Sequence, residues 1–104
     1  MASNYFSLIA SLEAVQPIRY TPAGIAILEM NLIHSGKVVE ANLTREIMMN
    51  VQAMAVDNIC IKILKLIKSN QLNQAYHFTG FMAPRRRGAR SLIFHIQNIN
   101  DLQE

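Results

Sequence analysis

Short apolar runs, broken at close intervals by turn residues, constrain this chain more than any other feature. The first run, Tyr5–Leu12 (YFSLIASL), is followed by Pro17 and then Thr21-Pro22-Ala23-Gly24, where Pro22 fixes its own φ and Gly24 accommodates a positive one. The second run, Ile25–Ile33 (IAILEMNLI), sets Leu28, Met30 and Leu32 on one parity and Ile25, Ile27, Glu29 and Asn31 on the other. It meets His34-Ser35-Gly36-Lys37, which reads as a tight hairpin with Gly36 in the bend. The third run, Val38 to Val51, then returns as a strand. Runs of this length with these breaks predict a three-stranded meander.

The pattern changes after Asp57-Asn58. Lys62, Lys65 and Lys68 recur every three residues through an isoleucine-rich segment, which gathers them on a helix and would scatter them on a strand. A helix over residues 58–68 follows, with Asp57 or Asn58 as its N-cap and basic residues near its C-terminal end. Residues 69–74 read as a polar loop. Tyr76–Met82 alternates as a fourth strand with Gly80 marking a bend or bulge. Ser91–Ile99 is the fifth, with Leu92, Phe94 and Ile96 on one face. Three strands, a helix and two strands is the element order of a five-stranded OB-fold barrel, an all-β fold with a short helix between strands 3 and 4 plugging one end, although an SH3-like or other small barrel shares these elements.

At 104 residues the chain is expected to form one domain over 1–104. With 51% hydrophobic and 16% charged residues it can bury a core. No apolar run approaches the ~18 residues of a membrane span, and MASNYFSLIASLEAV lacks the basic stretch of a signal peptide. The lone Cys60 makes no internal disulfide, so a reducing cytoplasmic location is expected. Neither a catalytic constellation nor a metal or cofactor motif is present: His34, His77 and His95 are far apart, Cys60 lies in an apolar segment, and there is no glycine-rich phosphate loop.

Charge is distributed unevenly. Residues 1–60 carry a net −2, whereas residues 61–100 carry seven basic groups and no carboxylate. Four of these form Pro84-Arg85-Arg86-Arg87-Gly88-Ala89-Arg90, a cluster whose mutual repulsion is relieved by solvent or by an anionic partner. On an OB barrel this loop lies between strands 4 and 5, beside the groove that single-stranded nucleic acid follows. Arginine suits that place because it grips phosphate bidentately and stacks on bases.

Several segments resemble those of a known family. Residues 18–34 (IRYTPAGIAILEMNLIH), Leu66-Ile67-Lys68, Thr79-Gly80-Phe81 and His95-Ile96-Gln97-Asn98-Ile99 occur in the order and spacing of bacterial single-stranded-DNA-binding proteins, and resemble most their primosomal replication protein N branch. The resemblance implies a dimeric OB fold that binds single-stranded DNA and supports the primosomal helicase in restarting stalled replication forks. It implies no enzymatic activity. Candidate DNA contacts are then Arg85, Arg86, Arg87 and Arg90 in the loop, with Arg19, His34, Lys37 and Arg45 on the strands and turns. Tyr20, Tyr76 and Phe81 are better placed for exposure and stacking than Tyr5, Phe6, Phe78 and Phe94, which are expected in the core. Strand 3 offers no aromatic in LTREIMMN (43–50), so binding weighted towards phosphate is expected. Met30, Met48, Met49 and Met54 suggest an apolar strip suited to a symmetric dimer. A protein-binding adaptor and an RNA-binding module remain open alternatives, the first using the arginine loop on an acidic partner.

Overall fold

The computed structural model describes residues 3–69 and 74–102. Its elements are β1 (Phe6–Val15), β2 (Arg19–Tyr20), β3 (Ala26–Glu40), β4 (Leu43–Val56), α1 (Asn58–Ser69), β5 (Ala75–Pro84) and β6 (Leu92–Asp101). The strands run β1-β5-β6-β4-β3, and a second pairing of β1 with β3 closes the ring. Closure is possible because β1 changes partner along its length. Phe6–Ser11 pairs with β5, and Ser11–Val15 pairs with β3 after an irregularity between Leu12 and Ala14. All pairings are antiparallel except β4 with β6. This is the expected five-stranded barrel, with the two-residue β2 added along β3.

The core follows the alternation of the sequence. Leu8, Ala10 and Leu12 of β1 and Leu28, Met30 and Leu32 of β3 point inward. They meet Phe78 of β5 and Phe94 and Ile96 of β6. The helix begins where Cys60 N–H donates to the Asp57 carbonyl at 3.0 Å, and it buries Cys60 and Ile63 completely. Its lysines face outward, as the three-residue spacing predicted. Residues 70–73 of the expected polar loop lie outside the described residues.

The second hairpin differs from expectation. β3 runs unbroken through His34-Ser35-Gly36-Lys37, with Gly36 paired to Ile47, and the chain turns instead at Ala41-Asn42. Both residues have positive φ, 51° and 65°, the two-residue type I′ geometry that matches strand twist. Gly36 serves packing: a Cβ there would stand 3.2 Å from Nε2 of His34. The His34 imidazole donates from Nδ1 to the Ile9 carbonyl at 2.7 Å, at the place where β3 leaves β1. Beyond it the paired ends of β3 and β4 form an exposed arm that helps stretch the molecule to 51 × 37 × 25 Å.

Three aromatic or apolar side chains also lie elsewhere than expected. Tyr76 is fully buried, because it is an inward position of β5 opposite Ala10 and its ring meets Phe78 edge-on at 6.2 Å. Tyr5 precedes β1 and is 72% exposed. Leu92 pairs with Pro84 where the strands leave the barrel and faces solvent, so Ile93 is buried in its stead. The expected bulge is present: Gly80 pairs with Ile96 and Thr79 with Asn98, leaving Gln97 unopposed. That extra residue reverses the parity of β6 and brings Ile99 into the core.

Candidate nucleic-acid interface

The outward parity of β3 and β4 is polar at its centre. Register pairs Glu29 with Met54 and Asn31 with Gln52, and β6 continues the row by placing His95 beside Met54. The arginine loop leaves β5 at Pro84 and folds back across this face. Arg85 Nη1 donates to Glu29 Oε1 at 3.0 Å, and Nη2 approaches Gln52 Oε1 at 3.5 Å. From the other side Arg19 on β2 donates through Nη2 to Glu29 Oε2 at 2.7 Å. One carboxylate therefore joins two predicted contact residues that are 66 positions apart in the chain. The two guanidiniums hold the Glu29 carboxyl below its ordinary pKa against a smaller opposing effect of burial.

The rest of the loop is an ordered turn. Ala89 N–H donates to the Arg86 carbonyl at 2.9 Å with Gly88 at φ 80°, the positive value that the third residue of a type II turn requires. Arg86, Arg87 and Arg90 are exposed and have no acidic partner within 4 Å among the described residues. Beside Arg19, a surface cleft of about 550 Å³ is lined by Pro17, Ile18, Glu29, Asn31 and Gln52. Its mixed lining, with Pro17 and Ile18 beside Asn31 and Gln52 and Arg19 at the rim, suits an anionic chain that carries flat groups.

The remaining predicted residues do not all converge there. Lys37 and Arg45 lie on the exposed arm, where Arg45 makes a solvent-facing ion pair with Glu40 at 2.5 Å. Such a pair contributes little to stability. His34 is engaged by the Ile9 carbonyl. Phe81 is half-buried and stacks face to face on His95, with ring centroids 4.7 Å apart and planes 11° from parallel. Burial lowers the His95 pKa, which favours the neutral imidazole. Tyr20, next to Arg19, is 64% exposed. Of the four methionines, Met30 is buried, Met54 is half-buried, and Met48 and Met49 are exposed on the arm. Sequence reasoning missed Glu29, although its outward parity on β3 was visible.

A closed five-stranded barrel with a helix after its third long strand and a basic loop before its last is an OB-fold binding module. The sequence profile of a family described as "another single-strand binding protein family" matches residues 4–98. The chain belongs to that family, in the group of its replication restart relatives. Replication restart protein PriB of Bordetella pertussis is 30% identical over 94 residues, 90% of this chain and 84% of the relative. That of Neisseria meningitidis serogroup C is 31% identical over 101 residues, 95% and 94% of the two chains. The solved structure of PriB from Ralstonia solanacearum superposes with a TM-score of 0.78 at 28% identity, covering 98% of this chain and all 100% of that one. A Plasmodium falciparum SSB solved with single-stranded DNA has a TM-score of 0.71 over 99% and 97% of the chains; at 12% identity it shares the fold alone.

Proposed function

We propose that this protein is a non-enzymatic accessory factor of replication restart that binds single-stranded DNA through its arginine turn and the outward face of β3 and β4. The observation that carries this reading is the fold of the loop. Its root is tied across the sheet by Arg85, Glu29 and Arg19, while Arg86, Arg87 and Arg90 are presented to solvent without acidic partners among the described residues. Phosphate supplies the missing counter-charge. Lys37, Arg45 and His34 extend the contact along the arm, and Phe81 and Tyr20 provide base contacts at its edges. The protein acts in the cytoplasm as a single OB-fold domain that pairs with a second copy and cooperates with the primosomal helicase. The pairing is favoured by β1, whose Phe6–Ala10 stretch has, among the described residues, a strand partner only in β5 and carries the exposed Ile9.

Fluorescence anisotropy of labelled oligo-dT at several salt concentrations tests the reading. With about four phosphates neutralised, log K falls with log salt at a slope of roughly −3, and the Arg86→Ala/Arg87→Ala/Arg90→Ala variant flattens it by about 2. Absence of binding at low salt would refute DNA binding and favour a protein adaptor. A matched RNA strand that binds tighter than DNA would favour an RNA reader that uses the 2′-hydroxyl.

A further inference from the structure

We infer that Arg19 and Arg85 together form one phosphate site, and that the Glu29 carboxylate occupies it in the free protein as a built-in competitor of the strand. The inference rests on the reading above and adds a residue that weakens binding where all the others strengthen it. A carboxylate between two guanidiniums is the nearest protein equivalent of a phosphate, with two oxygens gripping two charged donors. Here one oxygen takes Arg19 at 2.7 Å and the other takes Arg85 at 3.0 Å. The Glu29 side chain is only 23% exposed, whereas Arg19 and Arg85 are 58% and 42% exposed. The carboxylate thus lies on the sheet side and the guanidiniums on the solvent side.

A strand that runs over β3 and β4 reaches these arginines before it reaches Glu29. To use both of them, a phosphate must replace the carboxylate oxygens or share the donors with them at close like-charge range. Both routes weaken binding. The ladder fixes the Glu29 Cα opposite Met54, so the carboxylate stays on this face beside the two arginines even when its torsions change. What the carboxylate supplies in return is order, since it keeps the root of a loop with four arginines folded on the sheet while no nucleic acid is present.

The test uses the full chain and labelled oligo-dT, comparing wild type with Glu29→Gln, Arg85→Ala and the double variant. Glu46→Gln is the comparison: it makes the same formal charge change opposite Lys37, a proposed contact on the arm, at a carboxylate without an ion pair among the described residues, and so reports the gain from relieving like charge alone. Removing the Glu29 charge is expected to tighten binding about three- to tenfold beyond Glu46→Gln, and to steepen the salt slope by about 0.7 as one more phosphate is neutralised. The gain is expected to shrink sharply in the Arg85→Ala background. Equal gains at Glu29 and Glu46, a loss at Glu29, or a gain that survives Arg85→Ala would each overturn the inference while leaving DNA binding intact. Failure of the wild type to bind at low salt would overturn the proposed function and this inference together.

Discussion

Replacing Gly80 with alanine tests the architecture at its tightest point. A Cβ on Gly80 would stand 1.8 Å from the His95 carbonyl oxygen, 2.9 Å from its carbon and 3.1 Å from the Gln97 nitrogen. Ordinary contacts lie beyond about 3.4 Å, so the strands must separate by more than 1 Å. They cannot do so freely, because β6 is held by β5 on one side and by β4 on the other. Overpacking a rigid site costs ~1–3 kcal/mol. Each ladder hydrogen bond stretched in relief adds ~1 kcal/mol. A loss of about 3 kcal/mol or more is expected, which lowers Tm by roughly 12–24 °C in a domain of this size. Urea and thermal denaturation followed by circular dichroism measure it. Gly36→Ala is the control, since its close neighbours are side-chain ring atoms of His34 at the root of the arm rather than backbone, and it should cost less than about 1 kcal/mol. A Gly80→Ala variant as stable as that control would refute the register assigned to β5 and β6.

Cys60 is fully buried, its thiol donates to the Ala55 carbonyl at 3.2 Å, and burial raises its pKa. Labelling by a thiol reagent should therefore be slow in buffer and complete in urea; rapid labelling of the native protein would contradict the burial. Because burial lowers the His95 pKa, the unfolded chain takes up that proton first as pH falls below about 6.5. Stability at pH 5.5 should accordingly drop relative to pH 7.5, and less so in His95→Gln. At the arm tip, replacing Ala41-Asn42 with Asn-Gly suits two positive φ values better and should increase hydrogen-exchange protection of the β3–β4 arm, by ~1 kcal/mol or less. Unchanged protection there would argue against the turn placed at 41–42.

How far the sequence reveals this structure depends on whether the determining contact is local. The parity of Leu28, Met30 and Leu32 identified the inner face of β3, and the lysine spacing identified α1. Gly80 announced its bulge, but the effect of that bulge on β6 depends on a partner strand. The turn at Ala41-Asn42 was concealed because the strongest turn residue nearby, Gly36, is spent on the close approach of a histidine ring. Tyr76 looked accessible at the start of its strand until the pairing with β1 placed it inside. The candidate site divides in the same way. The arginine run is contiguous and was legible, whereas Glu29 and Arg85, 56 positions apart, meet only once the fold brings them onto one sheet. Phe81 and His95 form a stack only through the register of β5 and β6.

The distribution of charge separates what stabilises this fold from what the proposed function would use. The described core contains no buried charged residue, so folding rests on apolar packing and closure of the barrel. All three described ion pairs lie on the outer surface, and two of them share Glu29. Exposed pairs of this kind contribute little to stability, and their screening by salt weakens them further. Charge on this face can therefore change with small cost to the barrel. Affinity for a polyanion, by contrast, depends on each free guanidinium through counterion release. Stacking adds less here, because among the described residues the face offers Tyr20 and the half-buried Phe81, the latter already stacked on His95. A protein arranged in this way would hold nucleic acid mainly by phosphate and release it readily as salt or a competing anion rises. Glu29 acts on that same balance from within the sheet.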